Sequence, residues 1–231
     1  IPIKLQKQLK YLERFGSEVG VIYSDYYIKN DVSGRVTHSG QTLYTGDIYK
    51  YLISGWCPSI TSSFLGKKKL ILEAGCFDPS LPSFQDYDMW LRLAKICKFE
   101  AVKEPLVIVH HHSGIRVAKS PSTRLKALKL IISKWGSAIR KEAGSKAVKD
   151  FHLKHLSKIH AQEVIKHITK GEHLKAINSF KDYVKASRFK NLKEIFKLAI
   201  LIIFGDTVFN YAKKVWGNIL VKRSKIQNKY K

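Results

Sequence analysis

The fold class this sequence predicts is an α/β layer structure followed by an all-α basic tail, and two observations carry that expectation. Up to about residue 118, segments of helical period alternate with short runs rich in β-branched and aromatic residues, the order of a layered α/β domain. After Ser120 the strand-like runs stop, no proline follows Pro121, and the chain reads as helix towards its end. The expected division is 1–135 for the α/β part and 136–231 for the helical tail.

Taken in order, "IPIKLQKQLKYLERFG" places Pro2 at a tolerated first-turn position. Leu5, Leu9 and Leu12 fall at helical spacing, and Gly16 is a natural stop. "VGVIYSDYYI" reads as a buried strand ending in the polar turn "KNDVSG", with a second strand through "RVTHSG". "TGDIYKYLISG" is a short helix with Thr45 or Asp47 near its cap and Gly55 at its end. A short strand and a helix around Lys67–Ala74 follow, then a Gly-terminated loop and a helix through "QDYDMWLRL" reaching about Ile96. "FEAVKEPLVIVHHH" is strand-like but interrupted by Pro105, which has no amide proton to give to a ladder.

The charge is extreme. Over 231 residues, 42 Lys+Arg against 18 Asp+Glu give +24, while 45% hydrophobic content argues for a folded chain. From Lys146 onward 20 Lys+Arg face 6 Asp+Glu, so the tail holds most of the excess. Such a field favours anionic partners: nucleic acid, anionic lipid headgroups or phosphorylated substrates. Cys57, Cys76 and Cys97 are scattered with no C-x-x-C pair, which fits neither a zinc site nor a disulfide framework and points to a reducing compartment. No signal peptide and no apolar run of bilayer length is present, and a chain opening "IPIKLQKQ" is expected to be a piece of a longer protein.

In the tail, "HAQEVIKHITKGEHLKAINSFKDYVKAS" pairs two helices across Lys170–Gly171, with Ala161, Ala176, Phe180 and Tyr183 where a tetratricopeptide-like hairpin buries small and aromatic residues. An ordinary helical hairpin has the same pattern. Beyond it, Leu198–Phe204 is too short to span a bilayer. The mix of apolar, aromatic and basic residues that follows suits either a helix lying on an anionic membrane surface or a docked helix with a solvated basic face.

Chemistry concentrates in "PSFQDYDMWLRL". Ser83 and Asp86 match the S-x-x-[DE] capping box, and Asp88 one turn in still suits the positive end of a helix dipole. Read alone, the segment is a well-capped helix with an extra acid. Its surroundings add a second reading. "AGCFDPSLPSFQDYDMWLRLAKICKFEAVKEPLVIVHHHSG" resembles the acceptor-side half of family 2 glycosyltransferases of the GT-A fold, in which a "GGFDE" turn leads to an "EDYDLWLRL" helix, an "EPL" strand and a histidine. The matching residues are Gly75 to Asp78, Gln85 to Arg92, Glu104 to Leu106, and His112. Upstream, "VGVIYSDYYI" and "CPSITSSFLGKKKLI" are similar to the family's strand after the donor site and its "SS-x-LIRR" segment. "IPIKLQKQ" is similar to the "P-x-KL-x-x-Q" helix that follows the metal-binding D-x-D. The resemblance covers roughly residues 1–135.

It implies a partial Rossmann-like GT-A domain that transfers a sugar, with inversion, from a nucleotide-sugar donor to a glycan or lipid-linked acceptor. Carried over by position, Asp86 is the general base, and Ser62, Ser63, Gln85 and Trp90 line the acceptor side. His112 lies near the diphosphate and a divalent metal, Mg or Mn. Gln85 replaces the usual Glu and keeps hydrogen bonding without the charge. Asp88 and Trp90 are expected to support the helix and the acceptor pocket, while Arg92 serves either structure, the preferred reading, or diphosphate neutralisation. Consecutive histidines on a strand face opposite ways, so His110, His111 and His112 cannot share one ion. Asp25 in "YSDYY" is expected at a strand end. On the resemblance the donor-side half with its D-x-D metal site is missing from this chain and ends immediately before Ile1, so the chain alone is expected to bind a nucleotide-sugar poorly. The complete enzyme is expected in the cytoplasm, held peripherally at the membrane by its basic tail. The alternatives are a basic protein binding nucleic acid, although no helix-turn-helix, RRM or zinc signature supports sequence-specific recognition, and an inert helical scaffold binding partner proteins.

Overall fold

The computed structural model describes residues 2–31, 33–57, 60–111, 120–189 and 191–203. His112 and the segment from Phe204 onward, on which two of the expectations above fall, lie outside the described residues.

The chain is mixed α/β, and its compact units are Ile1–Phe151 and His152–Lys231. The first unit begins with α1 (Lys4–Leu12), β1 (Val19–Asn30), β2 (Val36–His38) and α2 (Tyr49–Ile53). A single 3-10 turn, Thr61–Ser63, precedes β3 (Phe64–Gly66), α3 (Lys68–Glu73), α4 (Gln85–Leu93) and β4 (Lys98–His111). The helix α5 (Pro121–Thr169) is broken at Gly144, whose φ of 81° and ψ of 164° are not helical. α6 (His173–Ser187) and α7 (residues 192–203) follow.

β1 organises the sheet. β4 pairs with it in parallel from Val19↔Lys98 to Asn30↔His111, which requires a long crossover, and α2, α3 and α4 lie in that connection. The other edge of β1 is divided between two antiparallel partners: β3 along Val21–Tyr23 and β2 along Tyr27–Lys29. Alternation along β1 and β4 then loads both faces. Ile22, Val102 and Leu106 pack with Val19 under Tyr11 and Leu12 of α1. On the other face Phe99 and Phe64 hold the indole of Trp90, with ring centroids 6.1 and 4.3 Å away.

Two expectations change here. β4 is not interrupted at Pro105. Ser24 pairs with Val102 but Asp25 with Pro105, so Lys103 and Glu104 are extra residues in a bulge, where a missing amide proton costs the ladder nothing. The bulged Glu104 is ion-paired with Lys7 of α1. Asp25 is likewise not at a strand end. It sits inside β1 opposite this bulge, 3% exposed, and accepts hydrogen bonds from the Tyr26 amide (2.8 Å) and the Ser39 hydroxyl, with His38 Nε2 at 2.9 Å.

In the second unit, α6 packs against the end of α5 and against α7. Val164, Ile168, Ala176, Tyr183, Leu198 and Leu201 form one buried cluster, with Ala161 and Phe180 partly buried against it. The turn between α5 and α6 uses Gly171 at φ 70°, and Glu172 Oε2 meets His167 Nδ1 at 2.5 Å. Among the described residues no helix is long and apolar enough to cross a membrane.

Close approach dictates one residue of the sheet. A Cβ at Gly20 would stand 2.3 Å from Leu70 Cδ1 and 2.6 Å from Cys97 Sγ, whereas one at Gly16 would meet nothing within 4 Å. Gly20→Ala is therefore expected to destabilise by about 1–3 kcal/mol through overpacking, and Gly16→Ala to stay within about 0.5 kcal/mol of the parent. Urea unfolding of the two variants side by side checks this.

Candidate active site

The first turn of α4 is built differently from a capping box. Gln85 opens the helix, and Phe84 before it stands at φ 66°, ψ 17°, a left-handed conformation that tips the chain sharply into the helix. Ser83 makes no cap, because no side chain accepts from the helix end at the N-cap position. Asp86 takes part of that role: its Oδ1 accepts the Tyr87 amide, an otherwise orphaned donor of the first turn, at 2.9 Å. Its side chain is half-buried and forms no ion pair among the described residues.

Asp88, two residues on, is enclosed. It is completely buried, and Oδ2 accepts from Arg92 Nε at 3.0 Å and Nη2 at 2.8 Å. Its Oδ1 accepts from the Trp135 indole at 2.8 Å and pairs with Lys134 Nζ at 2.9 Å, both on α5. Arg92 extends this network to the preceding turn. Its Nη1 donates to the carbonyl of Ala74, and its Nη2 to that of Cys76 at 2.6 Å. Lys134 also reaches Asp78 Oδ2 at 2.7 Å, and Asp78 accepts the hydroxyl of Ser80 at 2.6 Å. The Gly75–Asp78 turn, the start of α4 and α5 are thereby tied to one buried carboxylate. Within that turn Cys76 adopts φ 56° beside Gly75 at φ 83°, a position where a side chain is strained and the resembling motif has glycine.

The network moves two titrations. The hydrogen bond from Lys134, then those from Ser80, hold the Asp78 carboxyl well below the usual carboxylate range. Burial pulls Lys134 down, but its bonds to Asp78 and Asp88 outweigh that and leave it raised.

The other expected site residues divide between surface and core. Gln85 is half-buried beside Asp86, and Ser62 is exposed. Ser63 is turned inward, 1% exposed, with its hydroxyl donating to the Ile60 carbonyl at 2.8 Å. Trp90 is also 1% exposed and encased by Phe64 and Phe99, so its place is in the core beneath the helix, not on a surface an acceptor touches. Phe64 joins the two groups: it follows Ser63 directly and packs on Trp90. Gln8 of the "KLQKQ" helix completes this corner, completely buried and donating to the Ser63 carbonyl at 2.7 Å.

An aromatic group that the sequence reading passed over stands next to the helix start. Tyr44 stacks on Tyr51 at 3.8 Å, Trp56 meets Tyr44 edge-on at 4.9 Å, and all three are half-buried. The Tyr87 hydroxyl donates to the Leu52 carbonyl at 2.7 Å and so fixes this group beside the residue after Asp86. The clue was "LYTGDIYKYLISGW", where aromatic residues recur without a strand period.

The only Asp-x-Asp in the chain is Asp86-Tyr87-Asp88, and it does not offer two free carboxylates because Asp88 is consumed by Arg92, Trp135 and Lys134. Among the described residues no group of three His, Cys, Asp or Glu lies together to hold a metal ion. His110 Nδ1 lies 2.7 Å from Asp31 Oδ1. No family model, curated protein or solved structure matches this chain.

Removing one partner from a buried charged network costs about 3–5 kcal/mol, so Asp88→Ala should lose stability on that scale in chemical denaturation. The pH profile has a defined sign. Asp78 is depressed in the folded state, so its contribution is present above the unfolded carboxylate value of about 4 and is lost as pH falls towards the lower folded value. Lys134 is raised, so its contribution is present below about 10.4 and is lost as pH climbs past that value. The stability difference between the parent and Lys134→Met should therefore be flat between those limits and shrink on acidification below pH 4.

Proposed function

We propose that the first unit is the acceptor-side part of an inverting GT-A glycosyltransferase of family 2, with Asp86 as the general base. The reaction moves a sugar from a nucleotide-sugar to a glycan or lipid-linked hydroxyl. The acceptor oxygen attacks the anomeric carbon, the bond from that carbon to the diphosphate oxygen breaks with inversion, and the hydroxyl proton passes to the Asp86 carboxylate. The observation that carries this reading is the division of labour between two acids in one helical turn. Asp88 is fully buried and satisfied by Arg92, Trp135 and Lys134, while Asp86 is half-buried, held only by the Tyr87 amide and outside every ion pair among the described residues.

A base needs a fixed position as well as a lone pair, and the Asp88 network supplies it by pinning the helix on which Asp86 rides. Of the four residues expected on the acceptor side, Gln85 and Ser62 are the two that are not buried. The rings of Tyr44, Tyr51 and Trp56 add flat apolar faces of the kind that the C–H face of a sugar packs against. Ser63 and Trp90 serve this site from below, the one bracing the turn to Gln8 and the other filling the core under α4. The divalent metal that the resemblance implies finds no group of three candidate ligands among the described residues.

The test uses a protein that contains this chain, assayed with a nucleotide-sugar donor and a glycan or lipid-linked acceptor. In that protein Asp86→Asn should lower turnover by about 10²–10⁴-fold, the usual contribution of a general base, with donor affinity and melting temperature unchanged. Asp88→Asn should instead lose stability. Near-normal turnover in Asp86→Asn would return this residue to a helix-terminal role. Trp56→Ala should raise the acceptor KM more than it lowers kcat.

A further inference from the structure

We infer that α7 is an interfacial helix that lays its outer face on an anionic phospholipid surface. The helix has two apolar faces where a surface helix of a folded domain needs one. Ile195, Leu198, Leu201 and Ile202 pack into or against the cluster with Val164 and Tyr183. Leu192, Phe196, Ile200 and Ile203 repeat at spacings of four, four and three, which gathers them on a separate stripe. They are 58%, 68%, 36% and 69% exposed, so the described residues leave this stripe open.

The approach to the helix supports the same orientation. Arg188, which ends α6, and Phe189 stand at φ 50° and 59°, two consecutive left-handed residues of which neither is glycine or asparagine. The strained link leaves the Phe189 ring 65% exposed just before the stripe begins.

Charge decides the occupant. Arg188, Lys190, Lys193 and Lys197 surround the stripe in sequence, with Glu194 the only acid among them. On the helical wheel Lys193 and Lys197 fall beside the exposed stripe, between it and Glu194, and Lys197 is drawn to Glu194 at 2.8 Å. A protein partner of average composition would gain little from so one-sided a border. A bilayer with anionic headgroups gains from both parts, since apolar side chains enter the acyl boundary while lysines stay at headgroup level. No described helix is long and apolar enough to cross a membrane, so the contact is one of lying on the surface. This inference is independent of the transferase reading and needs no activity to test.

The experiment is flotation of the full chain with vesicles of phosphatidylcholine plus phosphatidylserine and with phosphatidylcholine alone. The parent should float with the anionic vesicles and far less with the neutral ones. The triple substitution Leu192→Ser, Phe196→Ser, Ile203→Ser should lower partitioning by at least about tenfold while its melting temperature stays at the parent value, because those side chains are exposed. Lys193→Glu should weaken binding to anionic vesicles alone. Equal flotation of parent and triple variant, or no flotation of the parent, overturns the inference. So does a parent that sediments as an oligomer while the triple variant is monomeric and neither binds vesicles, since the stripe would then join two copies of this chain.

Discussion

A single buried carboxylate, Asp88, is the constraint on which the first unit depends. Taking an ionised group out of water is costly unless every lone pair finds a donor, and here the donors come from three side chains on two helices. Arg92 reaches it from one turn along the same helix, while Trp135 and Lys134 reach it from a helix that begins more than thirty residues later. Because satisfying the charge requires all of them, the start of α4, the Gly75–Asp78 turn and α5 cannot be placed independently. Arg92 is the linking group: its planar fork serves Asp88 and the turn carbonyls together, a geometry that a lysine ammonium does not have.

That arrangement separates neighbouring acids by environment. Asp86 and Asp88 are two positions apart on a helix, about 200° around its axis, so one points outward when the other points in. Burial then gives Asp88 to the frame and leaves Asp86 at the surface of the same rigid turn. The left-handed Phe84 precedes this turn, and the Tyr87 hydroxyl ties the turn through the Leu52 carbonyl to the helix that carries Tyr51 of the Tyr44, Tyr51 and Trp56 group. Rigid support below and open polar groups above are what a positioned base requires, and this correspondence between physics and the resembling motifs gives the proposed transferase reading its content.

Much of the architecture was legible from local pattern. The helices at Lys4–Leu12 and Lys68–Glu73 stand where apolar spacing and glycine stops predict them, the helix at Gln85–Leu93 stops three residues short of the expected Ile96, and the long helical segment begins at Pro121. The hairpin around Gly171 buries Ala176 and Tyr183 as the small-and-aromatic pattern requires. The departures have non-local causes. Pro105 does not end its strand because β4 carries two extra residues, Lys103 and Glu104, in a bulge opposite β1, and Ser83 does not cap because Phe84 turns the chain after it. Trp90 and Ser63 read as site residues by position but lie inside, since burial depends on what packs opposite: Phe64 and Phe99 for the ring, Gln8 for the turn.

The amino-acid sequence by itself determined the element order, the change of character after Ser120, the basic excess and the cluster of motifs around "QDYDMWLRL". All of these rest on periodicity, composition or short spacing, which act within a few residues along the chain. Only the tertiary structure decided which aspartate is free, because Lys134 and Trp135 carry no mark near Asp88 in the sequence and find it only when α5 folds across α4. It also decided that α7 keeps a second apolar face outward. A stripe of leucine, isoleucine and phenylalanine looks the same in sequence whether a neighbour covers it or not, and exposure is a property of the packed chain.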